Sequence, residues 1–312
     1  MRSLRIAVQM DPIEKMIVNH DTSLALMVEA QMRGHEVWWF TPNDLFYELG
    51  IVKARANRVS VSFDEKAHYQ TLEKAVRGID DFDVVLVRQD PPFDMGYVSN
   101  TYLLELAKTL VINPPLGIRN ISEKMSILQF PELTPNTWVG RDIEALEAFA
   151  KRYEQVVLKI LFMMGGEGVI KLSSSDPEFR IKAAHFMTAA GREPILVQEF
   201  LPAVSGGDKR VFVFDGEPFA ALRRLPKAGD FRANLAVGGK AAPGEVDDTD
   251  RAIVAAVAPV LKREGIVFAG LDVIAGKLIE INVTSPTLAQ ELKRFSGLDL
   301  PKAFWDRVER MV

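Results

Sequence analysis

Between Leu271 and Pro286, two β-rich runs flank the glycine of Ala275-Gly276-Lys277, a pattern that reads as a β-hairpin. Along the second run the side chains alternate, so Glu280 and Asn282 share one face while Ile279, Ile281 and Val283 share the other. The apolar face requires a core. The opposite face carries a carboxylate and an amide oxygen, and the turn decides whether Asp272 joins them. A two-residue loop at Ala275-Gly276 would pair Asp272 with Ile279 and send the carboxylates to opposite faces. A three-residue loop from Ala275 to Lys277 sets Asp272 across from Glu280, and we adopt that reading. Carboxylates this close repel unless a cation lies between them, and an all-oxygen set suits Mg²⁺. The competing reading is a solvated hairpin face with unrelated charges.

At 312 residues the chain is too long for one small core and is expected to form two or three lobes. The net charge of −4 gives no electrostatic case for nucleic acid or an anionic membrane. There are no cysteines, which removes disulfides, thiolate chemistry and thiolate metal sites, and fits a cytoplasmic protein. Met1 to Val8 carries charge inside a short apolar run and leads straight into a strand, so no signal peptide is expected. No apolar run reaches transmembrane length.

Leu4 to Met10, a helix capped at Asp21 or Thr22 and stopped by Gly34, and Glu36 to Phe40 form an opening βαβ unit. Ile51 to Phe63 reads as a pair of strands. The strand Asp83 to Val87 runs into the polar segment Arg88-Gln89-Asp90-Pro91-Pro92-Phe93-Asp94, the kind of loop that binds ligands at strand ends of open α/β sheets. A helix over Thr101 to Leu110 and a strand at Val111-Ile112 close the first lobe near residue 120. A further helix is expected to carry Lys124. Strands at Val156 to Ile160 and Val169 to Leu172 flank a glycine turn, which is a hairpin and not a P-loop. Helices are expected at Glu144 to Arg152, Pro177 to Ala190 and Asp250 to Arg263, and strands at Thr137 to Val139, Ile195 to Phe200, Lys209 to Phe214 and Pro218 to Arg223. The stretch 225–243 shows no apolar period and reads as a long polar loop. There is no internal repeat.

Lys159 ends an apolar strand beside Gly165, Gly166 and Gly168. A lysine with flexible backbone N–H groups makes a phosphate clamp, and Lys124 would add a second charge; otherwise Lys159 is a surface lysine. Gln198-Glu199-Phe200-Leu201-Pro202 is a hinge crossing whose strand edge can offer backbone hydrogen bonds to a purine. Arg210, Arg224, Arg232 and Asn234 surround the long loop, which is either an exposed polar segment or a lid over an anionic substrate. The histidines have no metal-ligand spacing, and no serine sits in a nucleophile elbow. Asp11, Asp21 and Asp90 read as turn and cap residues, with contact to substrate as the lesser alternative.

Taken together, these segments resemble the bacterial glutathione synthetases of the ATP-grasp superfamily over nearly the whole chain. The resemblance is carried by Met10-Asp11-Pro12-Ile13, Arg88 to Asp94, Asn120-Ile121-Ser122-Glu123-Lys124, Leu133-Thr134-Pro135 and Met164-Gly165-Gly166. It continues through Asp208-Lys209-Arg210, Asn234 to Gly239, Gly270-Leu271-Asp272 and Glu280 to Thr287. It implies an α/β ATP-grasp fold whose N-terminal domain is a Rossmann-like open parallel sheet. The division implied is 1–120 for substrate, 121–201 for the small ATP-grasp lobe and 202–312 for the C-terminal lobe, with a lid at 225–243. It implies ligation of γ-glutamylcysteine to glycine through an acyl phosphate at the expense of ATP, with Mg²⁺ or Mn²⁺, in a cytoplasmic homotetramer. Carried over by position, Lys124, Lys159, Gly165 and Gly166 hold the phosphates of ATP. Gln198, Glu199, Phe200 and Leu201 meet the adenine, and Asp208 lies near the ribose. Asp272, Glu280 and Asn282 coordinate the metal. Arg210, Arg224, Arg232 and Asn234 serve the acyl phosphate and substrate carboxylates, and Arg88, Ser285 and Thr287 contact the dipeptide.

The chain departs from the family at Lys159-Ile160-Leu161-Phe162-Met163, where Lys-Pro-Leu-x-Gly is usual. If that glycine takes positive φ, Met163 carries a backbone penalty of about 1–2 kcal/mol. Two rival readings are an ATP-grasp ligase with another acceptor and a nucleotide-binding module without turnover.

Overall fold

A computed structural model describes residues 2–312. Three sheets follow one another along the chain. The first contains β1 (Arg5–Gln9), β2 (Glu36–Phe40), β3 (Leu45–Glu48), β4 (Ile51–Val61), β5 (Tyr69–Gly78), β6 (Val84–Val87) and β7 (Leu110–Ile112), in the order β3-β4-β2-β1-β6-β7 with β5 on β4. Its β2-β1-β6-β7 part is parallel, which places the segment after β6 at the carboxyl edge. Helix α1 (Thr22–Met32) starts where Asp21 accepts the Leu24 N–H at 2.7 Å and ends before Gly34 at φ +82°. The βαβ opening thus forms as its pattern predicts.

Some expectations change. Where a pair of strands was expected over Ile51 to Phe63 there is one long strand, β4, ending at Val61, and its partner is β5. That strand was invisible because the face it turns inward carries Thr71, Glu73 and Arg77, so no apolar period marks it. Helix α2 (Met95–Glu105) begins earlier than expected, capped by Asp94. Helix α3 (Pro115–Asn120) stops short of Lys124, which lies in a turn rather than on a helix.

The second sheet is antiparallel, in the order β10-β9-β11-β8, from β8 (Thr137–Gly140), β9 (Gln155–Ile160), β10 (Val169–Ser173) and β11 (Ile195–Glu199). Helices α4 (Ile143–Ala150) and α5 (Phe179–Ala189) bury Leu146, Phe149, Ala183 and Phe186 against its Val156, Leu158, Ile195 and Val197.

The third sheet is also antiparallel, β14-β13-β12-β15-β16, from β12 (Asp208–Phe214), β13 (Glu217–Leu225), β14 (Lys240–Gly244), β15 (Phe268–Ile274) and β16 (Lys277–Asn282). Strand β14 corrects the expectation that 225–243 lacks regular structure. Its residues have little apolar signal, and they become a strand by pairing with β13. Helix α6 (Asp248–Arg263) packs on this sheet through Ile253, Val257 and Leu261.

Helices α7 (Ala289–Ser296) and α8 (Leu300–Val308) return to the first lobe, where Trp305 is fully buried and its indole N–H donates to Leu26 O at 2.8 Å. One apolar core therefore runs from α1 and β1 through Phe212, Phe214 and Phe268 to Phe304 and Trp305. Asn113 joins the same bodies by hydrogen bonds. Its Nδ2 donates to Phe268 O at 2.8 Å and Val283 O at 2.7 Å, and its Oδ1 accepts from the N–H groups of Val267 and Phe268 at 3.0 and 3.1 Å. All four side-chain bonding positions are used.

Candidate active site

The hairpin forms with a different turn from the one adopted above. Ala275 and Gly276 both have positive φ, +48° and +74°, and close a two-residue turn in which Ile274 pairs with Lys277. Asp272 still faces Glu280. The register shifts between Asp272 and Val273, so Ile279 bulges out of the ladder and supplies the odd residue that we had placed in the turn. The bulge also moves Ile279 from the expected core face to the wall of a cleft, while Leu278, Ile281 and Val283 fill the core.

Asp272 is buried and lies at the centre of an ion-pair network. Its register partner on β12 is Arg210, whose Nε and Nη2 donate to Oδ1 and Oδ2 at 2.8 Å each. Arg224 Nη2 donates to the same Oδ2 at 2.7 Å, and Arg224 also grips Asp208, its partner across β12 and β13, through two bonds of 2.7 Å. Burial alone would raise the Asp272 pKa, but the two guanidinium groups outweigh it and hold the carboxyl well below the usual range. Asp208, with one such partner, is pushed up by burial.

The cleft beside this network is an open groove with mixed polar and apolar lining. It brings together Lys124, Lys159, Gly165, Gly166, Gln198, Glu199, Phe200, Leu201, Asp208, Arg224, Arg232, Asn234, Asp272 and Glu280. Val157, Val169, Ile274 and Ile279 give it apolar walls. Lys159 is buried, and burial pulls its pKa down. Lys124 Nζ lies 3.9 Å from Glu280 Oε1 and donates to Leu161 O and Met163 O at 3.2 and 2.6 Å. Gly165, Gly166 and Gly168 have φ of +65°, +85° and +63°. Met163 is not among the positive-φ residues, so the backbone penalty considered for it does not arise. Arg232 pairs with Asp230 and donates to Gly166 O at 3.1 Å, which brings the 225–243 stretch onto the glycine-rich turn. The carboxylate of Glu199 accepts from the backbone and side chain of Asn136. Gln198 donates to Thr137 Oγ1 at 3.1 Å, and Lys171 Nζ lies 4.4 Å from the Phe200 ring centroid.

A second cavity, reaching into the first lobe, shares Met164, Gly165, Arg224, Asn234 and Glu280 with the cleft. Arg88, Arg210, Asn282, Ser285 and Thr287 line it. Arg88 is buried and is oriented by Nε to Ser23 Oγ and Nη2 to Pro286 O, both 3.0 Å. Ser285 donates to Asp90 Oδ1 at 2.6 Å, and Arg210 Nη1 to Thr287 Oγ1 at 3.3 Å. Every sequence-predicted site residue therefore lines one cavity or both. Asp11, Asp21 and Asp90, read as turn and cap residues, and Glu123, given no role, also line the second cavity. Burial raises the pKa of Asp21, Asp90 and Glu123. Glu123 accepts from Thr284 Oγ1 at 2.8 Å. Its position beside Lys124 was the available signal.

The donor set at the hairpin fits a hard divalent cation. Asp272 Oδ1 receives only Arg210 Nε and keeps a lone pair, and Asn282 turns its Nδ2 toward Gly270 O at 3.1 Å, leaving Oδ1 for a ligand. Glu280 completes an all-oxygen set. Among the described residues no group of three or more His, Cys, Asp and Glu could hold a metal, so a site here would draw on the Asn282 amide oxygen beside the two carboxylates.

Comparison with known proteins gives the family. Residues 4–119 match the family model described as prokaryotic glutathione synthetase, N-terminal domain, and residues 123–297 match prokaryotic glutathione synthetase, ATP-grasp domain. Proteins named glutathione synthetase from Mesorhizobium japonicum and Brucella melitensis are 41% and 40% identical, over 98% of this chain and 98% and 99% of theirs. The one from Vibrio cholerae is 39% identical over 98% of both chains. Among solved structures, the D-cycloserine synthetase DcsG superposes with a TM-score of 0.70 at 15% identity, covering 98% of this chain and all of its own. The ATP-grasp ligase PsnB superposes with 0.63 at 19%, over the whole of both chains. At that identity these two speak for the fold. The chain belongs to the prokaryotic glutathione synthetase family, and it is an ATP-grasp enzyme that forms carbon–nitrogen bonds.

Proposed function

We propose that this chain joins γ-glutamylcysteine to glycine, consuming ATP, with the residue roles inferred from its sequence. The observation that carries the reading is that two cavities, one lined by Lys124, Lys159 and the glycine-rich turn and one reaching the first lobe, meet at Glu280, Arg224 and Asn234. A phosphoryl group held in the first can there reach a carboxylate held in the second.

The backbone at Gln198 to Leu201 would seat the adenine, with Asp208 near the ribose. Leu201 supports this, because its N–H has no protein acceptor among the described residues while its carbonyl accepts from Val204. Lys124, Lys159 and the N–H groups of Gly165 and Gly166 would hold the phosphates. Lys159 is suited to that place, because a desolvated ammonium gains most from an anion brought beside it. Asp272, Glu280 and Asn282 would hold Mg²⁺, which Mn²⁺ can replace, and the bound metal supplies charge neutralisation at the phosphates. Arg88, Ser285 and Thr287 would orient the dipeptide.

The cysteinyl carboxylate attacks the γ-phosphorus, its bond to ADP breaks, and an acyl phosphate forms. Arg210, Arg224, Arg232 and Asn234 stabilise the oxygens on which charge collects. The glycine amine then attacks the acyl carbon, phosphate departs, and the amine gives up a proton. Nothing here needs an enzyme nucleophile. Positioning and charge neutralisation lower the barrier. The lobes 1–120, 121–201 and 202–312, the cytoplasmic setting and a homotetramer belong to the same proposal and rest on the family resemblance. No described helix is long and apolar enough to cross a membrane.

The test is phosphate release from Mg-ATP with γ-glutamylcysteine and glycine, each component omitted in turn. Release that needs both substrates supports the ligase. Release with the dipeptide alone shows acyl-phosphate formation followed by hydrolysis and leaves the acceptor wrong. Absence of release with ATP still bound returns the chain to a binding module.

A further inference from the structure

The altered run at Ile160 to Met163 is held in place by an unusual set of contacts. Three successive carbonyls at the base of the glycine-rich loop accept hydrogen bonds from outside it. Leu161 O and Met163 O receive Lys124 Nζ, and Phe162 O receives the Phe93 N–H at 3.1 Å. The Phe162 ring lies 6.3 Å from that of Phe93 at an interplanar angle of 36°, and Phe93 in turn lies 4.9 Å from the buried Tyr97. Phe93 ends the segment after β6 that carries Arg88 and Asp90 into the second cavity. Pro91 and Pro92 stand between Asp90 and Phe93, and their rings fix φ, so the segment moves as a stiff unit. Beyond the pinned base, the glycines at 165, 166 and 168 take positive φ and form a tip that meets the 232–237 stretch through Arg232, Asn234 and Ala236.

We propose that Phe162 is a positioning residue that couples the dipeptide cavity to the phosphate loop, so that dipeptide and ATP tighten each other's binding. The proposal rests on the function given above for the identity of the two ligands. A dipeptide held by Arg88 and Ser285 fixes the position of the stiff segment ending at Phe93. The Phe93–Phe162 contact passes that order to the base of the loop, and ATP then has less ordering left to supply. By linkage, ATP raises dipeptide affinity by the same factor.

Calorimetry with a non-hydrolysable ATP analogue and Mg²⁺ tests this, using γ-glutamylcysteine as the second ligand and no glycine. Each ligand is titrated alone and against saturating amounts of the other, in the full chain and in Phe162→Ala. In the unaltered chain each ligand is expected to tighten the other by about fivefold or more, with equal factors in both directions. In Phe162→Ala each ligand alone binds within about twofold of the unaltered chain, while the coupling factor falls toward one. A purely structural role would weaken the separate affinities and leave that ratio intact. Phe162→Ala with an undiminished factor, or an unaltered chain with a factor of one, overturns the proposal. If Phe162→Ala does not fold, Phe93→Leu, which keeps the backbone hydrogen bond and removes the ring contact, is read by the same criteria. Failure of both ligands to bind the unaltered chain would instead remove the functional reading, and the coupling with it.

Discussion

Arg224 Nη2 lies 2.7 Å from Oδ2 of Asp272 and 2.7 Å from Oδ2 of Asp208, so one buried guanidinium joins the hairpin to the edge of the nucleotide cleft. Arg210 takes the other side of Asp272. Two cations thus share one buried carboxylate that is also the proposed metal ligand. Asp272→Asn leaves both guanidinium groups short of charge in a dry site. The variant is expected to lose about 3 kcal/mol of stability or more and at least about 100-fold in turnover. Urea unfolding and steady-state kinetics read the two effects, and a variant as stable as the parent would refute the network's structural role.

Asn113→Ala removes four hydrogen bonds and orphans the N–H groups of Val267 and Phe268 and the carbonyls of Phe268 and Val283. At about 1–3 kcal/mol for each buried group left unpaired, the expected loss is at least about 3 kcal/mol even after partial relaxation. A shift of the denaturation midpoint equivalent to under about 1 kcal/mol would contradict it.

Gly166→Ala acts locally. At φ +85° a Cβ costs about 1–2 kcal/mol, and it would stand 3.1 Å from Asn234 Oδ1. The glycine-rich turn and the 225–243 stretch are expected to separate. ATP affinity falls by about tenfold while the thermal midpoint moves little. Unchanged ATP affinity would show that the contact between these segments does not shape the phosphate site.

Asp90 supplies a pH signature. Burial raises its pKa, so the native chain takes up this proton at a higher pH than the unfolded chain does. Where it is ionised, this buried carboxylate lowers stability. Asp90→Asn, which can still accept from Ser285, is therefore expected to be more stable than the parent at pH 7. The gap should close as the pH falls toward the ordinary carboxylate value of about 4, because the parent is then protonated at this position too. Urea midpoints of both proteins at pH 7 and pH 5 give the sign, and a gap that widens on acidification would reverse the assignment.

The hairpin at 271–283, the glycine turn after Lys159 and the opening βαβ unit were legible in the residues alone. These follow from local causes: side-chain period, turn formers and the order of short motifs along one chain. The tertiary structure decided everything that depends on register between distant strands. Asp272 meets Glu280 because Ile279 bulges from β16, although the turn has two residues and not three. Arg210 reaches Asp272, and Arg224 reaches Asp208, because β12 pairs with β15 and β13 at those positions. Strands β5 and β14 were illegible for the same reason. Their stability comes from ladder hydrogen bonds offered by neighbouring strands, and no apolar face of their own records that in the sequence. A period-2 pattern says which side a residue faces, while the residue it meets there is set by the backbone of another segment.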